Sequence, residues 1–151
     1  DDLGKPMLVI HGNHEEDKVM REVCKNFDNL TFVHRKLVRL PDNVVVLGYG
    51  GGGFSHDDPE LRKLARKWKA KLKPKDKVIV LVHGPPYGTK VDALDDTDEA
   101  HTGNQAITDL IPLLKPKLLF CGHIHETAKE RQKIGKTLIC NSGGDGEVFE
   151  V

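Results

Sequence analysis

The sequence lacks the features that announce a secreted or membrane protein. Its three cysteines, Cys24, Cys121 and Cys140, are odd in number, far apart and without a Cys-x-x-Cys pair. That argues against a disulfide framework or a zinc knuckle. Buried free thiols in a reducing compartment, and so a cytoplasmic location, are the expectation. No apolar run approaches the ~20 residues a membrane span needs. The opening stretch, Asp1 to Pro6, has no signal-peptide pattern. An excess of one charge is missing too: 23 basic and 23 acidic residues cancel, so nothing global attracts nucleic acid or an anionic membrane. There is no internal repeat and no low-complexity linker. What remains is one domain of 151 residues, long enough to bury roughly 70% of the surface its unfolded chain exposes.

Strand and helix patterns alternate along it, the signature of a layered α/β domain. Met7 to His11 reads as a short buried strand, followed by Gly12-Asn13-His14 and an acidic helix start. Val19, Met20, Val23, Cys24 and Phe27 give that helix an apolar stripe. Short strands are expected at 30–34 and 37–40 and a clearer one at 43–49, ending in Gly50-Gly51-Gly52-Gly53. Pro59 opens a helix with Leu61, Leu64, Ala65, Trp68 and Leu72 on one face and lysines and arginines on the others, which reads as a solvated face. Val78 to Val82 is a continuous apolar run, as in a strand covered on both faces. After the rigid turn His83-Gly84-Pro85-Pro86-Tyr87-Gly88 comes an acidic loop, Asp92 to Glu99, expected to be solvated. A helix follows over 104–114, then the strand Leu118 to Cys121, a hairpin of 127–133 with 137–141, and a last strand over 147–151.

Three of these strands end alike, delivering Gly12-Asn13-His14, His83-Gly84 and Gly122-His123-Ile124-His125. Ligands of open α/β sheets bind outside the carboxyl ends of strands. If the three strands are neighbours, four histidines and an asparagine line one crevice. In an extended backbone His123 and His125 would point to one side, with Gly122 allowing the turn before them. Imidazoles gathered this way suit a metal.

Gly12-Asn13-His14-Glu15, then His83 after a buried strand, then Gly122-His123-Ile124-His125 resembles the calcineurin-like metallophosphoesterases in spacing and order. His83-Gly84-Pro85-Pro86-Tyr87-Gly88, His101-Thr102-Gly103 and Asn141-Ser142-Gly143 look like the small archaeal and bacterial phosphodiesterases of that family. The resemblance implies an αββα layered sandwich and a hydrolase acting on phosphomonoesters or phosphodiesters through a metal-bound hydroxide at a two-metal site. By it, Asn13, His83 and His123 would bind one metal and His125 the other, while His14 would be the catalytic group over the phosphate. The ligand types suit Mn, Fe, Ni or Zn without choosing among them. His101, Gly51 and Gly52 are weaker substrate-side candidates, the glycines through backbone N–H groups. His11, His34 and His56 have no motif behind them and read as structural or exposed. The partner implied is a phosphate ester, with neither membrane nor nucleic acid expected.

The family's pattern opens with Asp-x-His and Gly-Asp-x-x-Asp, and neither precedes Gly12. Residues 1–151 are therefore expected to be the C-terminal portion of such a domain, without its first βαβ region. The expected result is one metal held tightly and little activity from the chain alone. The main alternative is a non-catalytic scaffold of the same fold that works through protein contacts. A nuclease of the superfamily would call for a basic groove, which the balanced charge does not suggest.

Overall fold

The computed structural model describes residues 4–53, 55–94 and 101–150. Eight strands and three α-helices alternate in the order β1 (Met7–Val9), α1 (Asp17–Lys25), β2 (Leu30–Phe32), β3 (Lys36–Arg39), β4 (Val44–Tyr49), α2 (Pro59–Lys71), β5 (Lys77–Val82), α3 (Gln105–Leu114), β6 (Leu118–Cys121), β7 (Arg131–Ile134) and β8 (Thr137–Asn141). They form two sheets. β1 and β2 pair in parallel, and the other six strands run in the order β3-β4-β5-β6-β8-β7. β4, β5, β6 and β8 are parallel to one another, with antiparallel β3 and β7 at the edges. With its helices the molecule is an αββα sandwich of the metallophosphoesterase type.

Local chemistry explains the helix starts. The Asp58 carboxylate accepts the Leu61 N–H at 2.9 Å, and Pro59 follows it at the first helical position. Asn104 caps α3 in the same way, accepting the Ala106 N–H at 2.8 Å. The core lies between the six-stranded sheet and these two helices. Val45, Leu47, Val78, Val80 and Val82 meet Leu61, Ala65 and Trp68 of α2 and Ile107, Leu110, Ile111 and Leu114 of α3. Each such aliphatic side chain contributes roughly 1.5–3 kcal/mol by leaving water. Arg62 ties the helices together outside that core, pairing with Asp57 and with Asp109 of α3.

Several expectations need correction. β1 lies in the small sheet, so it is not a neighbour of β5 and β6. Along β5 only Val78, Val80 and Val82 are buried; Ile79 and Leu81 are half-buried, so the second face is thinly covered. The apolar stripe of α1 splits. Cys24 is buried, but Val19 and Val23 stay 53% and 41% exposed. The first strand of the hairpin begins at Arg131, because a 3-10 turn occupies His125–Thr127. Residues 147–150 form no strand. That segment is pinned by side chains instead, with Phe149 edge-on to Phe120 at 5.0 Å and Glu147 paired to Arg131 at 2.7 Å. All three cysteines are buried and free, and no described helix is long and apolar enough to cross a membrane.

Leu110, 1% exposed in the α3 interface, tests this core. Leu110→Ala is expected to cost about 3 kcal/mol, read as a lower urea midpoint with an unchanged slope.

Candidate metal centre

The carboxyl ends of β4, β5 and β6 lie level, and their hydrogen bonding runs on past the strands. The His83 N–H donates to the Tyr49 carbonyl at 3.3 Å, and the His83 carbonyl accepts the Gly122 N–H at 2.9 Å. His83 is thereby held between the glycine loop after β4 and the turn after β6. That second turn is not the extended segment the sequence suggests. The left-handed conformation falls on His123, at φ +69°, and not on Gly122. A side chain in that region costs roughly 1–2 kcal/mol, strain of the kind that gathers at functional sites. His125 starts the 3-10 turn, so the two histidines are not aligned by strand geometry.

Asn13 arrives from the other sheet. The turn carrying it closes when the Gly12 N–H donates to Glu15 Oε2 at 2.8 Å. A Cβ there would lie 2.9 Å from that oxygen and 3.2 Å from His83 Cε1, so a side chain would displace the Glu15 carboxylate. Asn13 Oδ1 then stands 2.8 Å from His83 Nε2 and 3.2 Å from His123 Nδ1, and the two rings are 5.0 Å apart. Residues 70 and 110 positions away thus meet at one oxygen.

Both imidazoles are held below their ordinary pKa. Burial is the main cause for each, reinforced at His83 by His123 and at His123 by His125 and His14. A neutral imidazole is the form that can bind a cation through a ring nitrogen. Two imidazoles and an amide oxygen are a donor set that fits a divalent metal. Among the described residues no three His, Cys, Asp or Glu side chains converge in this way; the amide is the third donor. His14 and His125 are exposed, close enough for their charge to reach this pair. A cleft of about 390 Å³ beside them is lined by Gly122, His123, His125, Ala128, Asn141 and Gly143. A larger groove of about 1110 Å³, between Val78, Ile111, Pro112, Leu118, Ile134 and Thr137, lies at the opposite ends of the strands.

Of the weaker candidates, Gly51 has its N–H committed to the His11 carbonyl at 2.9 Å, so it is not offered to a phosphate; Gly52 is exposed. His101 is half-buried, its Nδ1 2.9 Å from Asp92 Oδ1. Asp92 itself overturns the reading of a solvated loop. It is fully buried and accepts the N–H groups of Gly88, Thr89 and Gly103 at 3.1, 2.6 and 3.0 Å. Asp95, Asp96, Asp98 and Glu99 lie outside the described residues. His11 and His34 are buried and His56 is exposed.

Sequence reasoning missed three contributors. One is Asp92. Another is Asn141, whose amide donates to the Ile124 carbonyl at 2.7 Å and braces the turn between His123 and His125. The last is Gly53, against which the His123 ring rests: a Cβ there would lie 2.6 Å from His123 Cε1. The signals existed only in part, as a glycine run and as an aspartate four residues after Gly88.

Layering of this kind, with polar groups gathered at the strand tips, defines an α/β domain of the metallophosphoesterase class. The chain belongs to the calcineurin superfamily of metallophosphoesterases, whose family model matches residues 1–147. It is 27% identical over 141 residues to the uncharacterized protein MJ1162 of Methanocaldococcus jannaschii, a match covering 89% of this chain and 62% of that protein. The chain therefore spans less than two thirds of that relative's length. TT1561 of Thermus thermophilus superposes with a TM-score of 0.65 at 17% identity, over 91% of this chain and 63% of its own. A putative 5'-nucleotidase from Staphylococcus aureus, in complex with alpha-ketoglutarate, gives 0.58 at 12%, over 92% and 32%. A further solved structure gives 0.76 at 22%, over 94% and 59%. At such identities the likeness is one of fold.

Two substitutions test this geometry. Asp92→Ala leaves the buried N–H groups of Thr89 and Gly103 without an acceptor and should cost about 3 kcal/mol, measured by urea unfolding. Burial holds His34 down at about 4, whereas an unfolded imidazole titrates near 6.5. The unfolded chain therefore takes up that proton first as pH falls. His34's contribution is complete above about pH 6.5 and is lost progressively from there down to about pH 4. Stability should drop by roughly 2 kcal/mol between about pH 7 and pH 5 on this account, and His34→Asn should flatten the decline.

Proposed function

We propose that the chain is the metal-holding part of a phosphoesterase, acting on phosphomonoesters or phosphodiesters. Asn13, His83 and His123 would hold a divalent cation such as manganese, and His125 would bind a second. The observation that carries this reading is the single Asn13 oxygen in contact with both imidazoles, 2.8 and 3.2 Å away, across two sheets. Membership of the superfamily supports it.

When bound, metal in such a site supplies positive charge to the phosphate and makes water acidic enough to act near neutral pH. The other tasks fall to side chains of this chain. Asn13 joins the small sheet to the large one, so the phosphate is presented between them. His83 and His123, kept neutral by burial, stay available as nitrogen donors. His14 leads out of the same turn as Asn13, exposed toward solvent. There it would stabilise the charge on the phosphate oxygens in the transition state or protonate the leaving oxygen as its bond to phosphorus breaks. His101, held by the buried Asp92, would line the substrate side.

Calorimetric titration with Mn²⁺ tests the assignment. One equivalent should bind tightly, and Asn13→Ala, His83→Ala or His123→Ala should each weaken it by at least about tenfold. His14→Ala should keep that affinity and abolish whatever turnover of bis(p-nitrophenyl) phosphate the chain supports. Unchanged Mn²⁺ binding in all three ligand variants would refute the reading.

A further inference from the structure

We infer that His34 is a positioning residue for the His123 imidazole, acting through the glycine loop 50–53; this rests on the proposed role of His123 in holding metal. His34 follows β2 and is 7% exposed, boxed by the rings of His11 at 4.5 Å, Tyr49 at 5.1 Å and Phe32 at 6.2 Å. Within that box its Nδ1 accepts the buried Gly50 N–H at 2.9 Å. The next N–H, that of Gly51, donates to the His11 carbonyl at 2.9 Å. Two consecutive donors thus fix the start of the loop to the layer beneath it.

The end of the loop meets His123. A Cβ on Gly53, at φ +108°, would lie 2.6, 2.8 and 2.9 Å from Cε1, Nε2 and Nδ1 of that ring. The Gly53 backbone is therefore the floor on which the imidazole lies, and a shift of the loop displaces the ring from Asn13. Gly84, which follows His83, packs on the same floor: a Cβ there would be 3.5 Å from Gly53 Cα. The end of the loop therefore lies against the His123 ring and against the backbone that follows His83.

Residue chemistry explains why a histidine stands at 34. The position needs an acceptor embedded in a ring, surrounded by other rings. Phenylalanine would fill the box but orphan the Gly50 N–H, and a buried donor left unpaired is costly. A protonated imidazole would turn a donor toward that donor. Burial keeps His34 neutral at pH 7, which preserves the acceptor. His11 does not take that role: its Nδ1 is buried with no hydrogen-bond partner, at the place a Cβ on Gly50 would reach.

Nitrogen NMR of histidine-labelled, metal-free protein near pH 7 should show His34 with its proton on Nε2 and Nδ1 bare. A proton on Nδ1 would overturn the proposal without any variant being made. His34→Leu should shift or broaden the His123 ring signals and weaken Mn²⁺ binding about tenfold, while His34→Asn, whose Oδ1 can replace the acceptor, should stay within about threefold. Leu110→Ala controls for lost stability; it should lower Tm yet leave the His123 signals and Mn²⁺ affinity unchanged. Undisturbed His123 signals in His34→Leu, or His34→Asn impaired as badly as His34→Leu, would overturn the proposal. If wild-type protein fails to bind Mn²⁺, the metal-holding reading falls, and the ring signals alone decide the role of His34.

Discussion

Everything at the site depends on the parallel register of β4, β5 and β6. Tyr49 lies opposite Val82 and Leu81 opposite Phe120, which brings Gly50, His83 and Gly122 to one level beyond the sheet. Side chains alternate along a strand, so a slip of one residue would send His83 to the other face. The register is fixed by burial: Val45, Leu47, Val80 and Val82 have 2% exposure or less, and a slip would expose them. The same apolar contacts that stabilise the fold therefore set the height at which the site is built.

The strands, helices and histidine positions were legible because periodicity and turn residues report local structure directly. The run Val78 to Val82 and the stripe Leu61, Ala65 and Trp68 could be read with nothing but their spacing. Pairing is another matter. That β1 joins β2 in a separate sheet follows from long-range contacts that no local pattern encodes, yet Asn13 still reaches His83 because the turn after β1 crosses between layers. The alignment of His123 with His125 failed for a local reason: an extended backbone was assumed where His123 adopts positive φ. Asp92 was misjudged because acidic composition predicts solvation, whereas here the carboxylate gathers N–H groups that the loop would otherwise bury unpaired. His34 gave no signal, since a hydrogen bond to a backbone N–H leaves no mark on spacing.

The ion pairs of α2 lie away from the two imidazoles. The cations of α2 lie on the outer layer, where Arg62 pairs with Asp57 and Asp109, and Arg35 with Glu60. Exposed pairs of this kind contribute little each; they connect α2 with α3 and with the sheet edge. At the strand tips the arrangement is reversed. Asn13 offers a dipole, His83 and His123 uncharged rings, and the glycine loop only backbone.

The left-handed backbone of His123 means that the position of its ring is imposed from outside the residue. Released, the residue would relax toward negative φ and carry the imidazole out of the crevice. Asn13 on one side and the Gly53 backbone on the other prevent this, and they come from two different sheets. The imidazole is thus one of the places where the two layers of the sandwich meet, beside the Gly50 and Gly51 N–H bonds to His34 and His11. Ease of separation between the layers and integrity of the centre become one property of the molecule, so a ligand that tightens the centre also tightens the fold around it.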